Sequence, residues 1–445
     1  MADTKVSLLP VMTAGDLDVV NDFLMIGDAS AAQSKRVAPV EIIRASLPYL
    51  SGLYDFTTGI LPAGVTFARA SSASRFNSSG AWVSEAADVP RFQYARTTLA
   101  PRGLLIESAA VNDALWSQQL DNAYWGPAYS SVVANVGAGA YGTVTADRLV
   151  EDGTASVIHA LGRPFTAVAG QTYMFSVFAK AVTRSWISFE LDTPFTSARQ
   201  YCWFDVGSGA VGTNGVTGSQ AFIIDEGGGW YRCVLLLTAV GSGMQNLSFR
   251  LATGNNVGAY NGDGVGSVWL WGVQISVADA VTSYLSTGAT AVSRAADVAA
   301  ITSPLVLADQ CWIVKGRTPR TIAGAVNVAL QVDDGSDSNR RSLRYSGDGK
   351  LRVVATVGNV DQCDLDLGAV APDTDFAVAI RWADNNFAAS LNGGAIVIDT
   401  LGQNPLGMMA ARIGRSVAGN YWNSTIRTIE TRRTATNAEL PLLAA

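Results

Sequence analysis

Two neighbouring stretches, Trp186-Ile-Ser-Phe-Glu-Leu191 and Tyr201-Cys-Trp-Phe-Asp205, alternate apolar residues with rings and carboxylates. Successive side chains of an extended chain point to opposite faces. Trp186, Ser188 and Glu190 therefore share one face, opposite Ile187, Phe189 and Leu191. On the second stretch Tyr201, Trp203 and Asp205 share a face opposite Cys202, Phe204 and Val206. An aromatic ring beside a carboxylate on each of two strands is what a sugar platform needs. The C–H face of a sugar stacks on a flat ring, and polar neighbours take the hydroxyls. Trp186, Glu190, Tyr201, Trp203 and Asp205 are therefore the candidate glycan-binding residues. The competing role for the same rings is burial in a core or a subunit interface, which aromatics mostly serve. Alternation assigns residues to a face but does not say which face is wet.

The remaining reactive residues read as structural. The single histidine, His159, sits between apolar neighbours in Val157-Ile-His-Ala-Leu161, with no serine nucleophile elbow. Asn261-Gly-Asp-Gly264 and Asp333-Asp-Gly-Ser-Asp337 offer hard oxygen ligands, but neither fits the twelve-residue calcium loop, and tight turns are the expectation. The acidic run Asp361 to Asp366 reads as a strand edge. Cys202, Cys233, Cys311 and Cys363 lie far apart in apolar contexts, as core thiols do. Whether Cys202 and Cys233 pair stays open, since it depends on strand placement. No cofactor or metal is expected. Arg317, Arg320, Arg340, Arg341 and Arg344 cluster, but Asp333, Asp334, Asp337 and Asp348 dilute their charge. Salt-bridged loop arginines are the expectation there.

Strands must position these groups. The chain has 445 residues, 48% hydrophobic and 15% charged, with a formal net charge of −6. That composition excludes bulk disorder, and the charge argues against nucleic acid as a partner. No apolar run reaches the roughly 18 residues of a membrane span. Short alternating segments bounded by Gly, Asn, Asp and Ser recur nearly throughout. Helical signals are confined to Ala38 to Leu47 and Thr436 to Leu443. The fold class is all-β, in tandem β-sandwiches. Composition shifts divide the chain into 1–48, a turn-rich module at 49–109, a Gly-rich β region at 110–298 and a final block at 299–445.

Four stretches resemble the appendage proteins of tailed bacteriophages, meaning tail fibres, tail spikes and head fibres. The N-terminus, Val6-Ser-Leu-Leu-Pro10 with Asp22 to Asp28, Ser34-Lys-Arg-Val37 and Val40-Glu-Ile-Ile43, is similar to their short virion-attachment segment. Leu53-Tyr-Asp-Phe56, Val65 to Ala70, Pro90-Arg-Phe-Gln-Tyr94 and Pro101-Arg-Gly-Leu-Leu-Ile-Glu107 resemble a module that precedes a carbohydrate-binding jelly roll. Thr145-Ala-Asp-Arg-Leu149, Gly229-Trp-Tyr-Arg-Cys233, Trp271-Gly-Val-Gln274 and Thr282-Ser-Tyr284 are similar to that jelly roll itself. The last block, with Arg352-Val-Val-Ala355, Ser390-Leu-Asn-Gly-Gly394 and Arg412-Ile-Gly414, resembles a concanavalin A-like lectin domain.

The resemblance implies a homotrimeric fibre or spike. With no catalytic constellation visible it reads as non-enzymatic, and Met1-Ala-Asp-Thr-Lys5 lacks a signal-peptide pattern, so it is expected to be made in the host cytoplasm. It would dock on other virion proteins through residues 1–48 and contact a host-surface glycan. One alternative is a purely structural virion component that binds no sugar. Another is a depolymerase spike, which would need two carboxylates flanking a glycosidic bond. Some concanavalin A-like enzymes carry Glu-x-Asp-x-x-Glu on one strand. Here Glu190 and Asp192 are followed by Phe195 where the second Glu would stand, and the stretch lies in the jelly roll.

Overall fold

A computed structural model describes residues 24–28, 33–37, 50–193, 195–302 and 310–445. The virion-attachment segment and the expected helix from Ala38 to Leu47 therefore lie outside the described residues, apart from the hairpin Leu24–Asp28 with Gln33–Val37. The rest is β, in two sandwiches, with a short helical tail at Asn437–Glu439 and Leu440–Leu443.

The first sandwich spans residues 126–277 in two six-stranded antiparallel sheets. One sheet runs Gly126–Ala128, Ala160–Ala167, Gly243–Ala252, Trp186–Leu191, Gln200–Asp205, Ala210–Asn214. The other runs Ser130–Ala138, Val144–Glu151, Ser267–Val277, Thr172–Ala181, Trp230–Thr238, Gln220–Asp225. Ile187, Phe189, Leu191, Cys202 and Phe204 point inward and meet Phe175, Val177, Cys233 and Leu235 of the opposite sheet. The strand Thr172–Ala181 is apolar nearly throughout because both of its faces are covered. Its outward Met174 packs with Val234, Leu236 and Ile322, and its outward Phe178 with Trp230, Trp271 and Tyr284. Of this sandwich's two sheets, the one carrying Trp186 bears no such apolar layer on its outer face among the described residues. Cys202 and Cys233 face one another across the core as free thiols. Burial pushes Cys202 up to about 12 and Cys233 well above its ordinary value.

The second sandwich joins two distant parts of the chain. A seven-stranded sheet places Val65–Ala68 beside Val298–Ile301, and the facing sheet pairs Leu50–Asp55 and Pro101–Ile106 with Ser424–Arg432. The 49–109 module is thus built into the 299–445 block, with the jelly roll inserted between them. Gly103 shows how close that join is. It has φ +94, and a Cβ there would lie 2.1 Å from the Ile426 carbonyl oxygen.

The chain leaves the second sandwich after Ile106 and returns before Val298, and a buried ionic network ties both crossings together. The Asp297 carboxylate meets Arg69 at 3.1 Å and Arg91 at 2.5 Å, and accepts the Glu107 backbone N–H at 2.9 Å. Glu107 in turn meets Arg91 at 2.7 Å and Arg294 at 3.4 Å. Burial would raise the Glu107 carboxyl, but the charges of Arg294 and Arg91 overcome it and bring it down to about 2.

Candidate functional site

The strand Trp186–Leu191 lies between Gly243–Ala252 and Gln200–Asp205. Register sets Ser188 opposite Trp203 on one side and opposite Arg250 on the other. All three project from the outer face, because Ile187, Phe189, Phe204 and Phe249 fill the inner one. The predicted residues therefore do not belong to the sandwich core.

Arg250 is the centre of this face. Its guanidinium meets Glu190 at 3.2 Å, lies 4.8 Å from the Tyr201 ring centroid and donates to the Gly258 carbonyl at 3.1 Å. Glu190 is also bridged by Arg199 at 3.0 Å. Trp186, Glu190 and Tyr201 are partly exposed around this charge chain. The Trp186 ring lies against the backbone of Gly212, where a Cβ would come within 2.6 Å of it.

Two predicted residues take other places. Trp203 is only 6% exposed, and its ring is tilted 51° to that of Tyr201 at 5.2 Å. With Trp203 buried and its ring tilted against Tyr201, a coplanar, open platform of Trp186, Tyr201 and Trp203 is not what forms. Asp205 turns to the hairpin that follows its strand, accepting from Gly207 N–H at 2.9 Å and Ser208 Oγ at 2.6 Å.

Beneath the exposed groups, Trp203 Nε1, Ser188 Oγ and Arg250 Nε are buried without a hydrogen-bond partner. Buried polar atoms are nearly always paired, and each left unmade costs about 1–3 kcal/mol. Three on adjacent positions of three strands mark a face with unspent hydrogen-bonding capacity. Arg250 and Arg199 were not among the predicted residues. The alternation of Leu247, Phe249 and Leu251 placed Arg250 outward, but nothing local paired it with Glu190, 60 positions away in the chain.

Elsewhere the reactive residues are engaged as structure. His159 Nδ1 lies 2.6 Å from the Tyr129 carbonyl oxygen. Asp263 accepts from Val265 and Gly266 N–H groups and pairs with Arg184. Asp333 holds Arg412 at 2.8 Å, and Asp337 accepts from Gln331 and Ala418. Of the clustered arginines, Arg340 donates to the Asp337 carbonyl and Arg341 lies over the Trp312 and Trp382 rings, while the other three pair with acids farther along the chain. Arg317 and Arg320 share Asp373, and Arg344 meets Asp364.

No family model matches the chain, and no curated protein matches it. Among solved structures, it is similar to the Ruminococcus gnavus IT-sialidase CBM40 bound to alpha2,6 sialyllactose, at 17% identity over 33% of this chain and 88% of that one, TM-score 0.27. The same module bound to alpha2,3 sialyllactose matches at 18% identity over the same shares, also at TM-score 0.27. The LG1-3 region of the laminin alpha2 chain matches at 10% identity over 64% of this chain and 63% of that one, TM-score 0.16.

Proposed function

We propose that this chain is a tailed-phage virion appendage that binds a host-surface glycan through the outer face of the Trp186 sheet, by recognition without catalysis. The observation that carries the glycan reading is the row Trp203, Ser188 and Arg250, whose buried polar atoms lack partners beneath the partly exposed Trp186, Glu190 and Tyr201. A sugar offers both an apolar face for such rings and hydroxyls for such polar groups. Binding without turnover is supported by the state of the local carboxylates, since Glu190 is committed to Arg199 and Arg250 and Asp192 to Arg199. The virion role, the docking of residues 1–48 and the homotrimer rest on the motif resemblance.

A glycan array with the intact protein and its Trp186→Ala variant tests the site. Binding that Trp186→Ala weakens supports it, and an array without signal refutes it. Deleting residues 1–48 should leave folded protein that no longer enters particles, and light scattering reads the trimer. The burial of Trp203 favours a second reading, a structural component without sugar binding, which the same blank array would select.

A further inference from the structure

We propose that the cleft between the two sandwiches is a second binding site, which holds a single neutral sugar ring between Glu226 and Arg96. It lies away from the outer face of the Trp186 sheet and goes beyond the reading above. The cleft measures about 410 Å³, within the roughly 300–1,000 Å³ of ligand pockets. One wall is aromatic. Trp82 and Tyr141 stack at 4.3 Å, with Phe76 edge-on to both.

Most charges lining it are already spent. Asp373 is held by Arg317 and Arg320, each at 2.5 Å, and by Arg102 at 3.6 Å. Arg232 donates to Ser176 Oγ and to the Thr282 carbonyl. Glu226 and Arg96 are the exceptions. The Glu226 residue is 7% exposed, and its carboxylate feels Arg232, Arg96 and Arg320 without a hydrogen bond or ion pair among the described residues. Arg96 lies over Phe76 and Tyr141, with its Nη1 buried and unpartnered. Thr282 Oγ1 and Thr425 Oγ1, also lining the cleft, are likewise buried without partners.

These orphans define the ligand. A cation would be repelled by Arg96 and Arg320, whereas a neutral hydroxyl suits Glu226 whether its carboxyl, raised by burial, is ionised or protonated. A hydroxyl donates to a carboxylate and accepts from a guanidinium, so vicinal hydroxyls satisfy both groups at once. The aromatic wall suits the apolar face of the same ring.

The test is titration of the intact protein with neutral hexoses and N-acetylhexosamines, read by saturation-transfer NMR and tryptophan fluorescence. At least one sugar should bind, with Kd near the millimolar range typical of a few hydrogen bonds and one stacked ring. Measured in a Trp186→Ala background, which removes any signal from the outer face, Arg96→Met and Thr282→Val should each weaken it about tenfold. Thr282→Val keeps the side-chain shape while removing an unpaired hydroxyl, so it reports binding rather than folding. Failure of every sugar to bind, or binding unmoved by both cleft variants, overturns the proposal. Binding lost already in the Trp186→Ala background also overturns it, while leaving the outer-face reading standing.

Discussion

Replacing Asp297 with Asn should be among the most damaging conservative changes in the chain. The side chain is fully buried and answers three arginines, Arg69 at 3.1 Å, Arg91 at 2.5 Å and Arg294 at 3.6 Å, as well as the Glu107 N–H at 2.9 Å. Asparagine keeps the volume and one acceptor oxygen. It also sets an amide N–H₂ against a guanidinium, and it leaves Arg69, Arg91 and Arg294 with Glu107 as the network's remaining carboxylate. Breaking a buried ion pair from one side costs about 3–5 kcal/mol, and hydrogen bonds to charged groups are worth about 1.5–3 kcal/mol each. The expected loss is thus about 3–5 kcal/mol, or a drop in Tm of roughly 3–5 °C if the chain melts as one unit. Urea denaturation of both proteins at one pH, with unchanged m-value, reads it directly. A loss below about 1 kcal/mol would place this network in the range of solvated surface pairs. That result would refute the argument that a dry ionic cluster clamps the two crossings between sandwiches.

Other perturbations separate the remaining claims. Trp203→Ala should cost about 3–5 kcal/mol, as for a buried aromatic, whereas Trp186→Ala should lower glycan binding with a melting temperature close to wild type. Gly103→Ala combines a left-handed φ with a Cβ 2.1 Å from the Ile426 carbonyl oxygen. It should destabilise by at least about 2 kcal/mol, and a neutral melt would contradict the close join of Pro101–Ile106 to Ser424–Arg432. Burial pushes the Glu226 carboxyl up to about 7 from an ordinary value of 4.5. The folded state therefore keeps a proton that the unfolded chain releases, so stability is full below about 4.5 and declines as pH rises to about 7. The fall is about 3 kcal/mol. Denaturation at several pH values should show this slope in wild type and lose it in Glu226→Gln, and an equal slope in both would remove Glu226 as its source. Glu107 works in the opposite sense. Its stabilisation is present above its ordinary 4.5 and is lost as pH falls towards about 2.

Fold class was legible from local pattern. Alternation at Trp186–Leu191 and Gln200–Asp205 assigned Ile187, Phe189, Cys202 and Phe204 to one face, and those residues do fill the core. Period-two patterning needs only a strand's own residues, since the pleat itself sorts side chains to two sides. The shared face of three candidate residues was legible for the same reason, since Trp186, Glu190 and Tyr201 lie together, partly exposed. Asp205 was misleading because a strand-end aspartate serves its own turn as readily as a ligand.

What local pattern could not hold is whatever depends on partners far along the chain. Arg69 and Arg91 meet Asp297 across more than 200 positions, and Arg250 meets Glu190 through strand pairing alone. The motifs around Arg69, Arg91 and Glu107 stood out in the sequence, but their shared role in one buried network depends on how the jelly roll is inserted between them. The sequence by itself determined the strands and their inward faces, because sterics and hydrophobic burial act residue by residue. The tertiary structure decided which outer face stayed wet, which charges found partners and where a cleft was left between sandwiches. Those depend on the register and docking of whole sheets, through contacts between residues that no local period relates.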